Sequence, residues 1–212
     1  MKVELISHTA EAGKLCGEAA AVCTNSKNPE SSLRHAVDSG HESVLEHGVF
    51  TFRVSGLSRA ALAQLTRHRL ASFDVQSQRY VRLSGVDLVM PESIRHSDFY
   101  TEAGSLMEDV MNLYQRMVDA GIPCEDARYI TPQAVPTTLV MTMNARELRH
   151  FFSLRCCNRA QWEIRQMADE MLKQCKKAAP ELFRNTGPGC VSGKCPEKHP
   201  CGSPRQKDEW DG

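Results

Sequence analysis

A chain of 212 residues is long enough to bury a real core as one compact domain. Its 26 basic residues balance 26 acidic ones. Zero net charge argues against coating nucleic acid or a membrane by electrostatics alone, and leaves room for a local basic pocket. No run approaches the roughly 18 apolar residues of a membrane span. The start, from Met1 to His8, lacks the long apolar region of a signal peptide, so the expected compartment is the cytoplasm. The nine cysteines are odd in number. Six of them (Cys16, Cys23, Cys124, Cys156, Cys157 and Cys175) sit in or beside helical patterns, where buried free thiols are expected rather than a disulfide framework.

In chain order, Lys2–Ile6 predicts a strand and the Ala-rich stretch from about Ala10 to Cys23 a helix. Asn28-Pro29 opens a second helix with Leu33, Ala36 and Val37 on its apolar stripe, and Gly40 ends it. Val49–Val54 alternates, with Phe50, Phe52 and Val54 on one side, as a half-buried strand does. Ser58 caps a helix carrying Ala61, Leu62 and Leu65 that runs into Arg67-His68-Arg69. The segment after it has no clear period and reads as a structured loop.

Val81–Met90 predicts a second strand. A long helix follows from Ser97-Asp98, with Leu106, Val110, Leu113 and Met117 on one face and Gly121 as its stop. After a short helix at about Cys124–Ile130, Thr138–Met143 is strand-like. Asn144 caps a helix through Phe151 and Leu154, and the last long helix spans roughly Arg159–Ala178, before Pro180. The expected class is α+β, a small mainly antiparallel sheet with long helices. The composition turns to Gly, Pro, Lys and Cys after Gly187. The chain therefore divides into residues 1–186 as one domain and 187–212 as a tail.

The chemistry concentrates in residues 67–80. Arg67, His68, Arg69, Ser72, Gln76, Ser77, Gln78 and Arg79 offer a density of donors suited to phosphate or another anion, because a guanidinium presents a planar fork for bidentate contacts. A solvated basic helix end, stabilised by the helix dipole, explains the same residues equally well on spacing alone. A third reading is nucleic-acid binding, with Phe73 and Tyr80 as stacking platforms. Ser77 as a nucleophile needs an oriented base, and nothing in the sequence aims His68 at it.

Arg-His-Arg-Leu-Ala-Ser-Phe-Asp-Val-Gln-Ser-Gln-Arg-Tyr resembles the signature of flavin-dependent thymidylate synthases, matching at Arg67, His68, Arg69, Ser72, Ser77, Arg79 and Tyr80. Asp74 stands where that family has Asn. Asp keeps an acceptor oxygen but loses the amide donor. Two further segments are similar to the family's in order and spacing: His41-Glu42-Ser43-Val44-Leu45-Glu46-His47, and Asn144-Ala145-Arg146 through Leu154-Arg155. A fourth is the helix Ala160-Gln161-Trp162-Glu163-Ile164. Together they cover roughly residues 1–185.

The resemblance implies that fold, and synthesis of dTMP from dUMP. Methylenetetrahydrofolate is the carbon donor, FAD the hydride source and NADPH the reductant. It also implies a homotetramer with active sites between subunits. By matching position it assigns Gln64, Arg67, Gln76, Ser77, Gln78, Arg79 and Arg128 to dUMP. Arg155 falls at the uracil ring, where a permanent cation would stabilise developing negative charge. Ser43, Arg67, His68, Arg69, Val75, Asn144, Arg146 and His150 are assigned to the flavin, with Val75 credible through its backbone only. His41 is assigned a flavin or folate contact. Read without the resemblance, Asn144 is a helix cap, and His41 and His47 beside Glu42 and Glu46 are structural histidines or zinc ligands.

The tail holds Cys190, Cys195, His199 and Cys201, a weak candidate zinc set because the spacings are not the compact Cys-x-x-Cys kind. A tail of unpaired thiols is the competing expectation. Lying outside the resembling segments, the tail is not expected to serve the core reaction. The competing function is a nucleotide- or RNA-binding protein that uses the Arg-rich loop and a zinc-binding tail.

Overall fold

Side-chain periodicity decides which faces of the chain meet. The structure, a computed structural model, describes residues 1–193 and 195–211. Strand β1 (Lys2–His8) leads to α1 (Ala12–Thr24) and α2 (Pro29–Asp38). The Asn28 side chain accepts a hydrogen bond from the Ser31 amide, 3.0 Å away. It thereby satisfies one of the helix-start donors that no intrahelical carbonyl can reach. Leu33, Ala36 and Val37 are the buried residues of α2. A short 3₁₀ helix, Glu42–His47, then feeds β2 (Val49–Ser58).

In β2, Phe50, Phe52 and Val54 are fully buried, as the alternation predicts. The strand outlasts that prediction by four residues, through a register shift between Ser55 and Leu57. Gly56 sits inside the shift at φ 78°, a left-handed backbone that glycine adopts without steric cost. Ser58 caps α3 (Arg59–Leu65) by accepting from the Ala61 amide at 3.0 Å. The helix stops at Leu65, so Arg67–Arg69 lie in the turn beyond it rather than on its last turn.

The segment that lacks a period is a strand all the same. β3 (Ser72–Val75) pairs antiparallel with β4 (Pro136–Asn144), from Ser72 opposite Thr142 to Val75 opposite Leu139. Its four residues are too few for alternation to stand out, and tertiary pairing supplies what the pattern does not. The converse correction concerns residues 81–90, which form no strand. Gly85 takes φ 59°, and Leu83 and Leu88 instead join a small second cluster with Tyr114, Ala127 and Val135.

Helices α4 (Glu92–Arg95), α5 (Tyr100–Asp119) and α6 (Cys124–Ala127) follow, then a 3₁₀ turn at Arg128–Ile130. In α5 only Tyr114 is buried. Leu106 and Leu113, on the expected apolar stripe, are 63% and 41% exposed. Met117 of the same stripe packs against the second cluster, while Leu106 and Leu113 stay uncovered by the described residues.

The sheet order is β1-β2-β4-β3, with every pair antiparallel. In β4, Thr137, Leu139, Met141 and Met143 point into the core. Two helices complete it: α7 (Ala145–Arg155), and α8 (Trp162–Ala178), which opens on Gln161 rather than at Arg159. From α8, Ile164, Met167, Ala168, Met171, Leu172 and Cys175 are all fully buried, the i, i+3, i+4 spacing of one helix face. The result is an α+β fold with a small antiparallel sheet. The chain beyond Gly187 turns back on it through α9 (Gly189–Ser192) and a 3₁₀ turn at Lys207–Trp210. Trp210, only 1% exposed, is one of the residues of the main core. Among the described residues no helix is long and apolar enough to cross a membrane.

Candidate active site

The edge strand β3 organises the polar residues by separating them. Four strand residues span about 13 Å at the usual rise. Arg67–Arg69 precede β3, beside the Asn144 end of β4, whereas Gln76–Arg79 follow it, beside the Pro136 end. Two clusters result.

At the first end is a cleft of about 810 Å³, a size that suits a cofactor. Arg67, His68, Arg69, Asn144, Arg146, His150 and Arg155 line it, with Glu42, Glu46 and Glu147. Asn144 does cap α7, its side-chain oxygen accepting from the Glu147 amide at 2.9 Å. The cap places Glu147 on the first turn, where it is 7% exposed and faces His68. His68 Nδ1 lies 3.3 Å from Glu147 Oε1, and Arg155 Nε donates to His68 Nε2 at 3.0 Å.

An arginine can only donate, so Nε2 carries no proton and Nδ1–H points at the carboxylate. His68 is thus a neutral link between Glu147 and Arg155. Burial is the main force holding its pKa below the usual value. The Glu147 hydrogen bond opposes that shift and the Arg155 cation adds to it. Phe151 packs edge-on against the ring at 4.9 Å. With Nε committed to His68, the terminal nitrogens of Arg155 take no protein acceptor among the described residues. Burial, and then the Arg67 cation, push the Arg155 pKa down.

The carboxylates of this cleft are already engaged. Glu46 pairs with Arg146 at 2.5 Å and Glu42 with Arg149 at 2.7 Å. None of the ion pairs among the described residues takes Arg67, Arg69 or Arg155. Ser43 and His41 are exposed and lie outside the cleft lining, as do Val75 and Gln64.

At the second end, Gln76, Ser77, Gln78, Arg79 and Arg128 gather away from that cleft. Arg79 Nε donates to Glu125 at 2.8 Å, and Arg128 Nε to the Glu125 carbonyl at 3.0 Å. Ser77 Oγ accepts from the Arg79 amide at 3.2 Å. Arg59 joins this cluster, donating to the Gln76 carbonyl at 2.9 Å. Its Nε and the Gln78 Nε2 are buried without a partner. Two orphaned donors in an arginine cluster fit an anion that the protein itself does not supply. Burial first, and then Arg128, lower the Arg59 pKa.

Residues 4–181 match the family described as thymidylate synthase complementing protein. The chain belongs to that family. Relatives named flavin-dependent thymidylate synthase include one from Geobacter sulfurreducens, 44% identical over 93% of this chain and 91% of its own. One from Clostridium tetani is 39% identical over the same shares, and one from Pyrococcus furiosus is 44% identical over 80% and 73%.

Within this thymidylate synthase complementing family member, sequence reasoning missed Arg59, Glu125 and Glu147 as site residues. Glu147 carried a readable signal, since Asn-x-x-Glu at a helix start puts the carboxylate on the first turn. Arg59 and Glu125 meet only through tertiary contact. Cys190, Cys195 and Cys201 line one cavity, and His199 is not among its lining residues. Among the described residues no group of three or more such side chains has metal-holding geometry. The thiols of Cys190, Cys195 and Cys201 are free, as are the other six.

Proposed function

We propose that the protein makes dTMP by reductive methylation of dUMP, taking carbon from methylenetetrahydrofolate and reducing equivalents from NADPH through bound FAD. The carrying observation is the arginine-lined cleft centred on the Glu147–His68–Arg155 chain, in a member of this family.

The residues fit the flavin. Arg67, Arg69 and Arg146 line a cleft of suitable volume and offer forked donors to a diphosphate. Asn144, His68 and His150 complete the set. His41, Ser43 and the Val75 backbone would contact it from outside the cleft lining. Bound FAD supplies hydride chemistry that no side chain has.

Ser77, Arg79 and Arg128, with Gln64, Gln76 and Gln78, would hold the nucleotide. The unpartnered Gln78 Nε2 and Arg59 Nε supply donors beside them. Arg155 would meet the pyrimidine and stabilise the negative charge that grows on it. Its permanent charge makes that role independent of pH.

The two clusters lie at opposite ends of β3, so one chain does not close a site around both ligands. Two copies that bring the Arg79 end of one against the Arg155 cleft of the other would. The uncovered face of α5, with Leu106 and Leu113, supports association. We therefore infer the family's own fold, with residues 1–186 as its domain, in a homotetramer in the cytoplasm.

The deciding experiment is the absorbance spectrum of purified protein, followed by reoxidation of its reduced flavin. A yellow protein whose reoxidation depends on dUMP and methylenetetrahydrofolate and yields dTMP is the expected result. Protein that neither carries nor accepts FAD would end the proposal.

A further inference from the structure

Arg155 is the last residue of α7, and a helix end leaves carbonyls without intrahelical donors. The chain beyond residue 187 supplies one donor there. Arg205 Nη1 donates to the Cys156 carbonyl at 3.1 Å. The next residues are tied in the opposite sense, their side chains donating to carbonyls of the tail. Asn158 Nδ2 donates to the Ser203 carbonyl at 2.7 Å, and Arg159 Nη1 donates to the His199 carbonyl. Three of the four residues after Arg155 are thus held by a segment about 40 to 50 residues further along the chain, outside the matched part of the family.

That segment is itself anchored. Arg205 forks onto Asp169 Oδ2 of α8 at 3.2 Å from both terminal nitrogens. Its guanidinium stacks 4.7 Å from the ring centre of Trp210. Trp210, buried in the core, donates to the other Asp169 oxygen at 2.9 Å. Arg205 therefore joins α8, Trp210 and the end of α7 in one place, and only the planar fork of arginine reaches all three. Arg155 borders both the flavin cleft and a second cavity of about 500 Å³, whose far wall is the tail at Pro196, Cys201, Ser203 and Pro204.

We propose that Arg205 is a positioning residue for the reaction. By capping α7 at Cys156 it fixes the backbone from which Arg155 reaches the substrate, so the tail belongs to the working site. The inference rests on the reading of Arg155 given above. An error of about 1 Å in a catalytic group costs up to a hundredfold in rate, so a brace at this point has leverage without touching either ligand.

The test uses the full-length, FAD-loaded protein and reads dUMP affinity from the change in flavin absorbance, beside kcat, FAD content and thermal midpoint. Arg205→Ala should raise the dUMP Kd by about tenfold and lower kcat while FAD stays bound. In an Arg155→Ala background the same change should weaken dUMP binding no further, while still lowering the thermal midpoint. A merely structural Arg205 predicts the opposite: wild-type dUMP affinity in folded protein, or penalties that add in the double variant. Either result overturns the inference.

Should Arg205→Ala not fold, Asn158→Ala cuts an exposed tie. It is expected to raise the Kd about two- to threefold, again with no addition to Arg155→Ala. Unchanged affinity there overturns the inference equally. An Arg155→Ala protein with wild-type affinity and turnover would remove the reading of Arg155 itself, a failure separate from that of the brace.

Discussion

The two ends of β3 carry similar residues in different states of completion. At the Arg69 end, polar groups are wired to each other. Asn144 orders Glu147, Glu147 orders His68, and His68 orders Arg155. At the Arg79 end, Glu125 holds Arg79 and Arg128, but donors on Arg59 and Gln78 stay buried and unpartnered. Burying an unpaired donor costs about 1–3 kcal/mol, a cost that a bound anion would offset. The first region has its polar groups paired within the protein, and the second keeps two donors unpaired.

The sharpest break in this contrast is at Arg155. Arg155→Ala should lower dTMP formation by roughly a hundred- to a thousandfold, the scale of losing one charge-stabilising donor, while FAD remains bound. Near-wild-type turnover would show that the wired end does not serve the chemical step. Arg79→Ala should act at the other end alone. Losing a charged hydrogen bond to phosphate, worth about 1.5–3 kcal/mol, should raise the dUMP KM ten- to a hundredfold with FAD content unchanged. A fall in FAD content instead would mean that the two ends are not separate.

Glu147→Ala should destabilise the protein by about 1–3 kcal/mol, because the His68 Nδ1–H loses its acceptor inside the core. Glu147→Gln keeps an acceptor oxygen and should recover most of that loss in a thermal melt. A smaller effect follows from His68 itself. Its folded pKa lies below the unfolded one. As pH falls below about 6.5, the unfolded chain takes up a proton that the folded chain refuses. The stability His68 contributes is complete above that pH and is lost as pH drops toward the folded value. Melting at about pH 7.5 and 5.5 should show the decline, and His68→Gln should flatten it. An equal slope in the variant would place the titration elsewhere. Asp74→Asn should change little, under about 0.5 kcal/mol, because Asp74 is exposed on β3. A large loss in activity would give that carboxylate a role in the nucleotide end.

These contrasts were only partly legible in the sequence. Alternation in β2 and β4 and the helical spacing of α8 are strong local signals, and the buried residues follow them. The Asn28, Ser58 and Asn144 caps were equally readable, because a cap needs only neighbours in sequence. What depended on distant pairing was not. β3 has no pattern of its own and forms because β4 offers it an edge. Residues 81–90 have a strand-like composition, but Leu83 and Leu88 pack beside Tyr114 and not in the sheet. The motif at residues 67–80 reads as one continuous anion site, yet the strand inside it sends its halves to opposite ends. Arg59, Glu125 and Arg205 were invisible for a related reason. Each acts on a residue 17 to 49 positions away, as with Gln76 for Arg59 and Cys156 for Arg205.

The proximity of Arg67 to Arg155 has a consequence for how folding and ligand binding are coupled. Each cation raises the cost of the other, and folding must do work to bring them to one cleft. An anion placed between them returns that work. The return grows with the negative charge brought between the two cations, so on the reading of Arg155 given above it would be largest as charge develops on the pyrimidine. Preference for negative charge at this point thus begins in folding, and the group that relieves most of the repulsion would be held most tightly.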